Sequence, residues 1–297
     1  MAEITANMVK ELREKTTAGM MDCKKALTAT SGDFDAAVNW LREKGLANAG
    51  KKDSRVAAEG LVGVTHEGGV AAMVEVNCET DFVAKNPDFQ ALVASLAKMV
   101  ASDNPKDIET FQAATKDLVV EKVAKIGEKL AVRRFVRVAG VVGSYVHAGG
   151  SIGVLVEFSV SDAAKAGSET VKQLARDVAM QVAAGNPMWL RREDADQKTL
   201  ENERSVAREK AKADGKPEKI LEKIVEGQVS KFLQENCLLE QAFVKDDKLT
   251  VQKHVEKQAK ELGTTIAVTA MHRFKVGEGI AKKADDFAAE VAKMAQA

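Results

Sequence analysis

Cys78, His66 and Asp81 are the three side-chain types that a thiol enzyme requires: a nucleophile, a base and a group that orients the base. Their companions are missing. No Gly-rich phosphate loop and nothing resembling an oxyanion hole accompanies them, and Cys78 ends a strand-like run, where a small buried thiol is ordinary. Retention of function after a Cys78→Ala change or thiol alkylation would remove this reading. Metal chemistry has no better support, because His66, His147, His254 and His272 show no paired spacing with cysteines or carboxylates. Cys23, Cys78 and Cys237 are too few and too scattered for a disulfide framework or a zinc site. The expectation is a chain that is not an enzyme and carries no cofactor.

Two other places hold unusual chemistry. Asn77-Cys78-Glu79-Thr80-Asp81-Phe82-Val83-Ala84-Lys85-Asn86-Pro87 sets an acid beside an aromatic at a loop tip. Such an aromatic is either tucked into the core or offered outward, and the sequence leaves both open. Met20 and Met21 follow Gly19 at a loop; flexible thioethers either fill irregular core gaps or make adaptable contact surfaces.

The elements that position the acid-aromatic loop belong to an internal repeat. Gly60-Leu61-Val62-Gly63, His66-Glu67-Gly68-Gly69 and the run Val70 to Val76 return as Gly140-Val141-Val142-Gly143, His147-Ala148-Gly149-Gly150 and the run Ile152 to Glu157. Each copy reads as a hairpin with a Gly-Gly turn. A helix follows, with its apolar stripe at Leu92, Val93, Leu96, Met99 and Val100 or at Val171, Leu174, Ala175, Val178 and Val182. Each copy closes with a helix and a strand, through Gly127 to Leu130-Ala131-Val132 and through Gly263 to Ile266-Ala267-Val268. The fold class is α+β: two related subdomains, each a three-stranded antiparallel sheet backed by helices. Copy two has Phe158-Ser159-Val160-Ser161-Asp162-Ala163-Ala164-Lys165 where copy one has the loop, with no acid-aromatic tip.

The offset between copies grows from 80 (140 minus 60) to 136 (263 minus 127), so copy two carries about 55 extra residues. They fall in the charged stretch from Arg191 to about Phe232, where Gly215-Lys216-Pro217 separates two helical patterns: Leu200, Ala207 and Ala211, then Ile220, Leu221, Ile224, Val225, Phe232 and Leu233. Two antiparallel helices forming a coiled-coil arm over about 187–240 are expected.

Before the repeat, Ile4, Met8, Val9 and Leu12 share one helical face, with Thr5 as a start signal. A second short helix is expected from about Met21 to Thr28. A third starts after Gly32-Asp33, carries Phe34, Ala37, Val38 and Leu41, and ends near Gly45. Lys51-Lys52-Asp53-Ser54-Arg55 reads as a linker. Three helices of UBA-like kind hold too small a core for a buried active site, which favours a binding role. The C-terminal stretch Asp285 to Gln296 reads as an amphipathic helix, with Phe287, Val291 and Met294 on one face. The expected division is 1–55, 56–139, 140–277 and 278–297.

At 297 residues, with 45% hydrophobic and 30% charged, the chain can build several cores under a solvated surface. Lysine plus arginine and aspartate plus glutamate balance at 44 each, which counts against non-specific nucleic-acid or membrane binding. No run approaches the roughly 20 apolar residues that span a bilayer, and the N-terminus lacks the order of a signal peptide. A cytoplasmic location is expected.

Met20-Met21-Asp22-Cys23-Lys24-Lys25-Ala26-Leu27, Thr80-Asp81-Phe82-Val83-Ala84-Lys85 and Arg273-Phe274-Lys275-Val276-Gly277-Glu278-Gly279-Ile280 closely resemble bacterial elongation factor Ts, in the same order along the whole chain. The resemblance implies nucleotide exchange on elongation factor Tu, bound in its GDP and nucleotide-free forms. It implies that Thr80, Asp81, Phe82 and Val83 form a wedge that displaces the partner's magnesium ion, with His147 beside that wedge. It implies further that Arg13, Met20 and Met21 meet the GTP-binding domain and that the C-terminal helix docks on the partner. Oligomeric state stays open, with a homodimer or a 2:2 complex among the arrangements. The alternative is a scaffold whose N-terminal helices bind some other protein by themselves, whereas exchange requires the core loop as well.

Overall fold

The computed structural model describes residues 4–16, 18–52 and 54–281; the amphipathic stretch Asp285 to Gln296 lies outside them. Three helices open the chain: α1 (Ala6–Thr16), α2 (Met20–Ala29) and α3 (Phe34–Lys52). Their apolar faces meet around Val9, Leu12, Cys23, Ala26, Leu27 and Ala37. Thr5 Oγ1 accepts from the Met8 amide at 3.3 Å, and Asp33 Oδ1 accepts from the Ala36 amide at 2.9 Å, so the expected start signals work as caps. The third helix does not stop at Gly45. It continues to Lys52, so the stretch read as a linker begins inside a helix. Gly45 serves packing instead: a Cβ there would touch Val120 and Ala124 of the helix Ile108–Ile126 at 3.7 and 3.8 Å, so the two helices approach closely.

Copy one follows as β1 (Glu59–Glu67), β2 (Val70–Cys78), the one-turn α4 (Asp81–Ala84), α5 (Pro87–Asp103), α6 (Ile108–Ile126) and β3 (Ala131–Ala139). Copy two begins one residue later with β4 (Val141–His147), β5 (Ile152–Val160), the one-turn α7 (Ala163–Ala166) and α8 (Glu169–Gly185). The insertion supplies α9 (Gln197–Ala213) and α10 (Glu218–Asn236), and a small ribbon of β6 (Ala242–Phe243) and β7 (Asp246–Thr250) follows. Copy two then closes with α11 (Val251–Leu262) and β8 (Ile266–Lys275).

The repeat produces two three-stranded sheets, ordered β1-β2-β3 and β4-β5-β8. β4 and β5 pair antiparallel, from Val141 opposite Phe158 to His147 opposite Ile152. The first turn is the expected Gly-Gly pair and the second is longer. Gly68-Gly69 is a two-residue turn with both φ positive, whereas the second hairpin turns through Ala148–Ser151, with Ala148 also at positive φ. The equivalent glycines Gly63 and Gly143 have a packing cause. A Cβ at Gly63 would lie 2.7 Å from Val93 of α5, and one at Gly143 would lie 2.2 Å from the Ala175 carbonyl of α8. Each helix therefore crosses its sheet where no side chain stands.

The chain forms two compact units. One comprises the described residues up to Gly63, Val74–Phe135 and those from Lys275 on; the other comprises Val64–Met73 and Val136–Phe274. In the first, Phe89, Leu92, Leu96 and Val100 of α5 are buried, and the Phe111 and Phe135 rings meet edge-on at 5.5 Å. In the second, Val154 and Val156 of β5 pack with Leu174 and Val178 of α8, Val255 of α11 and Val268 of β8.

α9 and α10 lie antiparallel. Arg204 pairs with Glu226 at 3.2 Å and Arg208 with Glu222 at 3.1 Å, so as one helix advances the other retreats. Leu200, Ala211, Leu221, Val225, Val229 and Leu233 are buried on these helices. At their base the Trp189 ring meets Phe232 edge-on at 6.1 Å.

Candidate functional site

The loop after β2 is built from its backbone outward. Thr80 caps α4, its hydroxyl accepting from the Val83 amide at 3.4 Å. Asn86 then caps α5 by accepting from Asp88 at 2.8 Å, with Pro87 opening that helix. Two caps six residues apart leave α4 room for a single turn. Val83 and Ala84 bury that turn against the core, while Phe82, on its opposite side, is 80% exposed.

A fully presented phenylalanine next to an acid is an exception to ordinary burial. Phe82 gains nothing from the fold of this chain, so its apolar area remains for a partner to cover. Asp81 is also exposed. Its carboxyl is held below the usual carboxylate range, chiefly by a hydrogen bond from Lys85 at 2.7 Å, against an opposing effect of desolvation. Lys85 Nζ also stands 6.0 Å from the centre of the Phe82 ring.

The loop is tied at its start by residues that the sequence reading missed. Glu128, just after α6, accepts from the Glu79 and Thr80 amides at 3.0 Å each through Oε2 and from the Thr80 hydroxyl at 2.6 Å through Oε1. The Glu79 carboxylate returns the favour by accepting from the Lys129 amide at 2.6 Å, and it also pairs with Arg55 at 3.2 Å. No local sequence pattern joins positions 79 and 128; only the alignment of the two repeats points to them.

The other predicted site residues fall on separate elements. Met20 and Met21, at the start of α2, are 51% and 65% exposed, so neither fills the core beneath. Arg13 lies exposed on α1. His147 belongs to the second unit, exposed at the end of β4, with Nδ1 3.4 Å from the Tyr145 hydroxyl and its ring stacked on that side chain. Thus Thr80, Asp81, Phe82 and Val83 are brought together on one turn, and Arg13, Met20 and Met21 project from the helical module.

The residues of a thiol site are engaged elsewhere. The Cys78 thiol donates to the Thr80 carbonyl at 3.1 Å, and burial pushes its pKa up to about 12. His66 Nε2 meets Ser144 Oγ at 2.8 Å, and its pKa is lowered by burial. Among the described residues, no cluster of three or more His, Cys, Asp or Glu is arranged to hold a metal ion, and no helix is long and apolar enough to cross a membrane.

Comparison with known proteins places this geometry in a family. The family described as Elongation factor TS matches residues 79–278, from the base of the loop to the segment beyond β8. The chain is 50% identical over 307 residues to an elongation factor Ts of Clostridium tetani, covering 99% of this chain and 100% of that one. It is 48% identical over 304 residues to that of Clostridium kluyveri, covering 98% of both, and 47% identical over 304 residues to that of Magnetococcus marinus, covering 99% of both.

Proposed function

Because the chain belongs to the elongation factor Ts family, we propose that it promotes nucleotide exchange on elongation factor Tu without covalent chemistry of its own. The observation that carries the reading is Phe82, held outward beside Asp81 on a turn whose opposite side is buried. In this reading the Thr80–Val83 turn enters the GDP-bound partner and displaces its magnesium ion. Phe82 is buried only in that complex, and Asp81 brings negative charge to where the ion had balanced the phosphates. Without the ion the diphosphate charge is uncompensated and GDP is held more weakly. GTP then refills the site.

Linkage supplies the rest. A protein that binds nucleotide-free partner more tightly than GDP-bound partner must weaken GDP binding by the same factor, and about 3 kcal/mol of coupling is worth about 150-fold. Exposed Met20, Met21 and Arg13 support contact with the GTP-binding domain by the helical module, which we read as UBA-like. His147 contributes a second contact from the other sheet. The α9–α10 pair is read as a short coiled-coil arm, and the protein as a cytoplasmic factor that touches neither nucleic acid nor membrane.

The test is release of a fluorescent GDP from purified elongation factor Tu, with wild type and with an Asp81→Ala, Phe82→Ala variant. Strong acceleration by wild type, lost in the variant while binding persists, is expected. Acceleration that survives both substitutions would move the mechanism to other contacts. No acceleration by wild type would overturn the function.

A further inference from the structure

The tie between the segment at 79–80 and the segment at 128–129 occurs twice in the molecule, with different chemistry. In copy two the Thr264 hydroxyl accepts from the Asp162 amide at 3.3 Å, and the Ser161 hydroxyl accepts from the Thr265 amide at 3.1 Å. The two hydroxyls lie 3.0 Å from one another, and the Ser161 amide donates to the Thr265 carbonyl at 3.0 Å. Ser161 thus stands where Glu79 stands, Asp162 where Thr80 stands, and Thr264 and Thr265 where Glu128 and Lys129 stand. The strand-to-helix corner is the same; hydroxyls make these ties across it, and Lys165 adds one to the Gly263 carbonyl at 3.0 Å.

Copy one closes that corner with two carboxylates, and copy one alone carries Asp81 and Phe82 on the turn that follows. The tie itself does not require carboxylates at these two positions, since in copy two the Asp162 carboxylate caps α7 and the Ser161 and Thr264 hydroxyls take the places of Glu79 and Glu128. What differs is the load. The α7 turn presents only alanines and a lysine, whereas the α4 turn presents an exposed aromatic that has to press into another molecule. Hydrogen bonds to an ionised acceptor are about twice as strong as neutral ones, and three of them converge on the Glu128 carboxylate. If the turn gave way, the contact energy of Phe82 would go into bending this chain rather than into opening the partner's site.

We propose that Glu128 is a positioning residue for exchange, its charged latch on the Glu79 and Thr80 backbone holding the α4 turn rigid while Phe82 and Asp81 are driven into the partner. The inference rests on the exchange function proposed above.

Two full-length variants test it: Glu128→Ala, and a Glu79→Ser, Glu128→Thr double variant that gives copy one the neutral latch of copy two and so preserves the corner. GDP release from elongation factor Tu is followed over a range of factor concentrations. For both variants the maximal release rate is expected to fall by about tenfold or more, the scale of one charge-assisted hydrogen bond, with the half-saturating concentration changed less than about threefold. A maximal rate unchanged in both variants, or a loss that appears in the half-saturating concentration instead, overturns the positioning role and leaves the exchange function standing. A wild type that fails to accelerate release overturns the exchange function, and the positioning role with it.

Discussion

Lys85 Nζ lies 2.7 Å from Asp81 Oδ2, one helical turn away, so the acid of the loop is already paired before any partner arrives. Both side chains are exposed, and such a pair adds little to stability. Its effect is on ionisation. The folded carboxyl sits below its unfolded value, so the group favours the fold above that value and loses the preference as pH falls through the folded one. In Lys85→Met, the Asp81 titration midpoint should move up towards the ordinary carboxylate range, with an unchanged melting temperature. Carboxyl chemical shifts followed against pH check this, and a stationary midpoint would remove Lys85 as the cause.

Phe82 and Phe89 separate function from folding within one segment. Phe82→Ala removes a ring that is exposed and should melt at the wild-type temperature while losing exchange activity. Phe89 is fully buried at the start of α5. Phe89→Ala should cost about 3–5 kcal/mol, read from denaturant unfolding. A destabilised Phe82→Ala protein would mean that the ring packs on its own chain.

Gly143→Ala places a methyl 2.2 Å from the Ala175 carbonyl, a backbone atom that cannot swing away. α8 must lift from its sheet, and a loss of about 1–3 kcal/mol is expected. Gly63→Ala meets Val93 Cγ1 at 2.7 Å and the Val93 carbonyl only at 3.2 Å, a milder backbone clash than at Gly143, so the loss there should be smaller. Equal losses in urea unfolding would show that the helices, rather than the contacted atoms, set the cost.

Cys78 should resist alkylation in the native protein. Its pKa is raised to about 12, with burial the main cause and the charge of Glu128 next. Few thiolates exist near neutral pH, and the sulfur is shielded. Preference for the folded thiol is complete below about pH 9 and is lost as pH rises towards about 12. Iodoacetamide labelling followed by mass spectrometry should modify Cys78 only on unfolding. Rapid native labelling would contradict its burial.

The repeat, the two small sheets and the position of the insertion were legible because each rests on local periodicity or glycine spacing that survives in both copies. Gly45 was misread because a glycine near a helix end and a glycine under a crossing helix look alike in sequence. The distinction depends on Val120 and Ala124, about 75 residues away. Outward placement of Phe82 was undecidable for a similar reason, since Val83 and Phe82 are both apolar and only the caps at Thr80 and Asn86 fix which one turns inward. Glu79 and Glu128 look like two surface acids until the chain brings them together. β6, at two residues, is too short to announce itself, and β7 is too polar.

Glu75 is wholly buried and receives Arg133 at 3.0 Å, Arg134 at 2.6 Å and the Gly277 amide at 2.9 Å, the last from 202 residues further along the chain. This sets a timetable for the newborn protein. At about 5–20 residues per second on the ribosome, the carboxylate of Glu75 is made roughly 10–40 seconds before its last partner exists. The Glu75 site of the first unit is therefore not complete until the second unit has been translated, and a chain released short of Gly277 leaves that acid incompletely satisfied. Truncation near the C-terminus is then felt close to residue 75, in the strand that leads into the Thr80–Val83 turn.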